Sequence, residues 1–194
     1  MKSHIHSAWN RFLQEMELAK NYHMPYLLDG IGAATFRNPL LDFLLPSLLY
    51  VNMVAILDEA LIRFIDVRGL TVPKKKYRNS LHGRIEFLND KLSIDNYSEL
   101  QSIRDLRNKL AHEVSEHATW ETLDADSNTI DKELRHLGFV GERKDYKYFG
   151  ERSAMYDCGE PNILSAQDYH FGVKHDDQVT MEFSFTKKIH KSNG

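Results

Sequence analysis

The chain has 194 residues, a formal net charge of −3, 42% hydrophobic and 27% charged residues, and a single cysteine, Cys158. That length suits one domain, or one domain with a small appendage, and the charge excludes a global basic field, so any nucleic-acid contact must come from a local patch. One cysteine excludes an intrachain disulfide and a Cys-rich zinc frame, which points to a cytoplasmic setting.

Residues Met1 to Asn10 are polar and histidine-containing and lack the apolar centre of an ordinary signal peptide. From Ser7 to about Tyr22, Trp9, Phe12, Leu13, Met16 and Ala19 recur at helical spacing between charged residues, which predicts an amphipathic helix. Pro25, Gly30 and Gly32 break that pattern. A second helix is expected to start near Pro39 or Pro46 and to run to about Val67, apolar nearly all round and therefore central. Its richest run, Leu40 to Leu57, is interrupted by Asp42, Pro46 and Asn52 and continues into Asp58, Glu59 and Arg63, so it reads as a buried helix and not a membrane span.

Thr71 to Asn79 is a basic connector, with Lys74, Lys75, Lys76 and Arg78. It is either a solvated loop or a rim that contacts phosphate. A short helix follows from about Ser80 to Leu92, with Leu81, Ile85, Leu88 and Leu92 on one side. Asp95 or Ser98 offers an N-cap for a fourth helix carrying Leu100, Ile103, Leu106, Leu110 and Val114. Ser127 or Thr129 is expected to cap a fifth, polar helix ending at Leu137, with Gly138 as its stop. Beyond it, Tyr146 to Phe149 and Val179 to Thr186 alternate with period two, which predicts half-buried strands with Met181, Phe183 and Phe185 on the buried face.

The fourth helix carries the one segment that points to a specific chemistry: Ile103-Arg104-Asp105-Leu106-Arg107-Asn108-Lys109-Leu110-Ala111-His112-Glu113. Asn108 and His112 share a helix face at i and i+4, and Arg104 extends that stripe. Arg107 and His112 lie five residues apart, about 7.5 Å along an ideal helix and about 140° around it, so they cannot converge within one straight helix. Two copies meeting about a two-fold axis would bring the arginine of one chain near the histidine of the other. The residue types suit phosphodiester cleavage. Histidine exchanges a proton near neutral pH, arginine holds a phosphate through paired hydrogen bonds, and asparagine orients either of them. Asp58 and Glu59 on the central helix are candidates to orient Arg104 or Arg107; the alternative for Glu59 is an ordinary i, i+4 bridge to Arg63.

Arg107, Asn108 and His112, with four residues between arginine and histidine, resemble the signature of the HEPN superfamily, on a late helix that follows a long apolar helix, a basic loop and a shorter helix. The resemblance covers roughly Leu40 to His117 and leaves the C-terminal β segment unexplained. It implies a dimeric endoribonuclease with its motif residues gathered in an interfacial cleft, of the kind that serves in toxin–antitoxin systems, phage defence or RNA processing. A non-catalytic HEPN-like module that dimerises and binds a protein, nucleotide or RNA partner is the alternative.

Other constellations are weaker. His112-Glu113-Val114-Ser115-Glu116-His117 spaces its histidines one residue too far apart for a zincin helix. His4, His6 and His23, and the pair His170 and His175, lack a convincing further ligand, and no P-loop, dinucleotide fingerprint or nucleophile elbow is present. The expectation is therefore a mainly α protein: an antiparallel four- to five-helix bundle over residues 1–137, with a small β-rich extension over 138–194 packed on it. It would need no cofactor or metal, act as a homodimer on RNA with a possible antitoxin or regulatory protein as partner, and have no membrane association.

Overall fold

A computed structural model of the chain describes residues 2–22, 24–27, 33–36, 39–113, 115–152 and 154–191. The elements run α1 (Lys2–Asn21), β1 (Met24–Leu27), β2 (Ala33–Phe36), α2 (Pro39–Val67), α3 (Leu81–Leu92), α4 (Tyr97–His112), α5 (Trp120–His136), β3 (Lys147–Arg152), β4 (Ile163–His175) and β5 (Gln178–His190). They form two compact units, Met1–Arg143 and Lys144–Gly194. The arrangement is α+β, which corrects the expected mainly α bundle with a small β extension. The difference lies in two 13-residue strands, one of which lacks a readable alternation, and in the antiparallel hairpin β1–β2 where only a break was expected.

In the first unit the apolar periodicity sets the packing. Ile5, Trp9, Phe12, Leu13 and Met16 recur along one face of α1 and are buried. α2 touches each of the other four helices, and its Tyr50, Met53, Leu57, Ala60 and Leu61 are fully buried. It starts at Pro39 and passes through Pro46, which removes one backbone hydrogen bond from the interior of the helix. Its outer side is less covered than expected: Leu44 and Leu48 are exposed. Among the described residues, no helix is long and apolar enough to cross a membrane.

α5 begins earlier than its polar sequence suggests. Thr119 is the N-cap, its side chain accepting from the Thr122 N–H, whereas Ser127 and Thr129 lie inside the helix. Polar groups dock this helix: Trp9 Nε1 donates to Asp131 Oδ1 at 2.7 Å, the Tyr50 hydroxyl donates to Asp126 at 2.5 Å, and Lys20 pairs with Asp124. Burial raises the Tyr50 phenol far above its ordinary range, and the Asp126 contact adds to this. Burial likewise raises the Glu133 carboxyl. Past α5, Phe139 is buried and Arg143 donates to the Ser127 carbonyl and hydroxyl oxygens. The segment after Leu137 is therefore tied to the helices as far as Arg143, beyond the expected boundary at residue 137.

In the second unit β3, β4 and β5 form an antiparallel sheet in that order. β4 and β5 are joined by Asp176 and Asp177, both at positive φ (49° and 62°), the backbone that a two-residue hairpin turn requires. The register sets Tyr169 against Phe185, Phe171 against Phe183 and Val173 against Met181, with the first two pairs stacked. Phe183 and Phe185 are nevertheless 46% and 39% exposed, not buried as the alternation suggested, because β5 is an edge strand with only β4 beside it.

Candidate functional site

The site is built where α2, α3 and α4 meet. Ser80 caps α3 and accepts from the Gly83 N–H, and α4 follows after the turn at Ser93, whose φ is +55°. A groove of about 640 Å³ lies between the three helices, lined by Asp58 and Glu59 from α2, by Arg78 and the first turn of α3, and by Arg104, Arg107 and Asn108 from α4. Five residues singled out from the sequence (Asp58, Glu59, Arg104, Arg107 and Asn108) thus share one groove, while His112 is exposed at the end of α4 and is not among the lining residues.

The charges in the groove are unevenly matched. Asp58 holds Arg84 through two hydrogen bonds, Nε to Oδ1 and Nη2 to Oδ2, each 2.8 Å. Glu59 pairs with Arg63 at 2.6 Å, so neither acid orients Arg104 or Arg107 in the way considered from the sequence. Arg104 pairs with its neighbour Asp105, and its buried Nε has no hydrogen-bond partner. Arg107 Nη1 donates to Asn108 Oδ1 at 3.3 Å. Among the described residues, neither Arg78 nor Arg107 has a carboxylate partner. Two guanidinium groups are therefore left to meet an anion, with Arg84 and Arg104 beside them, a setting suited to bidentate phosphate binding.

The lysines of the basic connector differ in their surroundings. Lys74 lines a second hollow of about 210 Å³ whose wall includes Arg78 and Arg84, the two arginines that also line the groove. Lys75 is exposed. Lys76 is engaged by Asp90 at 2.6 Å and sits over the Tyr77 ring, a contact that holds the loop against α3. Hydrogen bonds to Asp90 and Tyr77 raise the Lys76 ammonium above its ordinary range.

Two groove residues, His82 and Arg84, escaped the sequence reading of the site, and Arg78 entered it only as part of the basic connector. The signal that could have placed Arg78 at the groove is Gly83. A Cβ there would fall 2.0 Å from the Arg78 carbonyl oxygen, so glycine allows the loop backbone to press on the first turn of α3 and seat Arg78 at the groove. Gly83→Ala should destabilise the first unit by about 2 kcal/mol, as overpacking against backbone does, and should displace Arg78. Urea unfolding checks this, and an unchanged midpoint would contradict the close approach.

His82 lies in the first turn of α3, half-buried, with Nδ1 2.9 Å from Gln101 Oε1 and Nε2 3.4 Å from Glu86 Oε1. None of the other described histidines is among the residues that line the groove. His6 contacts Asn10, His170 contacts Glu182, and His175 contacts Asp176 and the Asp145 carbonyl; His23 lies outside the described residues. Among the described residues, no three of His, Cys, Asp and Glu converge to hold a metal ion. Comparison of the chain with protein-family models, with curated proteins and with solved structures found no match in any of the three.

Proposed function

We propose that the chain is an endoribonuclease of the HEPN type, cleaving without a metal ion and acting as a homodimer. The observation that carries this reading is the groove in which Arg107 and Asn108 stand beside Arg78, Arg84 and Arg104, with two guanidinium groups lacking a carboxylate. In this mechanism a ribose 2′-hydroxyl attacks the adjacent phosphate, Arg107 stabilises the charge that builds at phosphorus, Asn108 orients the phosphate, and His112 takes the hydroxyl proton. The products are a 2′,3′-cyclic phosphate and a free 5′-hydroxyl.

Where the groups sit supports dimerisation in this reading. Arg107 lines the groove and His112 does not, as their separation of about 140° around a helix requires, so the histidine is supplied by the second copy. Leu106 and Leu110 of α4 are only half-buried and Ala111 is exposed, which leaves apolar surface beside the motif for such a contact. A cytoplasmic protein with an antitoxin or other regulatory partner, in a toxin or phage-defence setting, fits this activity.

The exposed position of His112 specifically favours a second reading, a non-catalytic module that dimerises and binds RNA, a nucleotide or a protein. Incubation of unstructured RNA with the protein in EDTA separates the two. The ribonuclease reading expects fragments that end in cyclic phosphate and are absent with His112→Ala; intact RNA bound by the groove would leave the binding module.

A further inference from the structure

Cleavage of a phosphodiester by the 2′-hydroxyl needs two proton transfers. One proton leaves the attacking hydroxyl, and another must reach the departing 5′-oxygen, a poor leaving group as an alkoxide. His112 can account for only one of these in a single turnover. The groove holds another histidine.

We infer that His82 is the general acid of this reaction, a role that rests on the ribonuclease reading above. His82 lines the same groove as Arg107 and Asn108. Nδ1 lies 2.9 Å from Gln101 Oε1, a contact in which the imidazolium Nδ1–H donates, so the ring is held by a residue of α4, the motif helix. In the imidazolium form that a general acid requires, the second proton is carried on Nε2, 3.4 Å from Glu86 Oε1. That separation is longer than a good hydrogen bond, so the Nε2 proton is attracted by Glu86 but not committed to it.

The step balances. The bond from O2′ to phosphorus forms as His112 takes the hydroxyl proton, and the bond from phosphorus to O5′ breaks as His82 Nε2 delivers its proton to O5′. His112 ends protonated and His82 neutral, and exchange with solvent restores both. Arg78 and Arg107, the two groove guanidinium groups without a carboxylate partner among the described residues, hold the phosphate, while Asp58 is engaged by Arg84.

The test is leaving-group rescue. His82→Gln, His112→Ala and the wild-type protein are compared on an ordinary RNA and on the same RNA with a 5′-bridging sulfur at the scissile phosphate, whose thiolate departs without a proton. His82→Gln should cleave ordinary RNA about 100-fold more slowly than wild type and the sulfur-bridged RNA within about 3-fold of it, while His112→Ala stays impaired on both. Rescue also shows that the variant is folded. A His82→Gln protein impaired equally on both substrates, or unimpaired on ordinary RNA, overturns the general-acid role while leaving the ribonuclease reading intact. A wild-type protein that cleaves neither substrate sinks that reading, and the role of His82 with it.

Discussion

Arg107→Ala should lower the rate of RNA cleavage by about 100- to 1,000-fold, the cost of removing one donor aimed at charge that develops in the transition state. Arg107 is half-buried at the groove, with no carboxylate partner among the described residues and one loose hydrogen bond, 3.3 Å, to Asn108. It supports little of the fold, so its loss should shift the melting temperature by no more than about 2 °C. Arg107→Lys keeps the charge but not the planar fork and should recover only part of the rate. Steady-state cleavage of a defined RNA checks all three proteins. Activity within 3-fold of wild type in Arg107→Ala would mean that this guanidinium does not touch the reacting phosphate.

The second large effect is on stability. Asp58 is the acid that matches Arg84 across α2 and α3, and the Arg84 side chain is only 13% exposed. Asp58→Ala leaves that guanidinium without its counter-charge, which costs about 3 kcal/mol, the lower end of the range for a broken buried pair because Asp58 itself is partly exposed. Asp58→Asn keeps one acceptor toward Arg84 and should cost less. Urea denaturation of the three proteins orders them; if Asp58→Ala were as stable as wild type, the pair would not be holding α3 against α2. Cleavage should fall together with stability in Asp58→Ala, because the groove wall is the contact being removed.

Most of the helical unit was legible in the chain because apolar spacing decides helix faces: α1, α3 and α4 lie where Trp9, Ile85 and Ile103 recur with their neighbours. α5 was misplaced at its start. Ser127 and Thr129 resemble cap residues, but Thr119 caps the helix, and Asp124, Asp126 and Asp131 are its points of attachment to Lys20, Tyr50 and Trp9. Such long-range pairing leaves no trace in local periodicity. β4 was missed for a related reason: its burial pattern mixes Ala166 and Gln167, adjacent and both buried, with a register shift near Ile163, so no clean alternation survives.

The candidate site divides in the same way. Arg104, Arg107 and Asn108 share a helix, so their proximity follows from helix geometry, whereas Arg78, His82 and Arg84 come from a loop and a different helix. Their convergence depends on tertiary packing, and Gly83 was its one sequence trace.

In the proposed ribonuclease, Arg107 of one chain and His112 of another complete a single site. Arg107→Ala and His112→Ala proteins, each inactive alone, are to be unfolded, mixed in equal amounts and refolded so that the chains redistribute. In a composite site half of the dimers are mixed, and each mixed dimer has one site intact, so cleavage should return to about a quarter of the wild-type rate. A mixture as inactive as either parent would contradict the composite site.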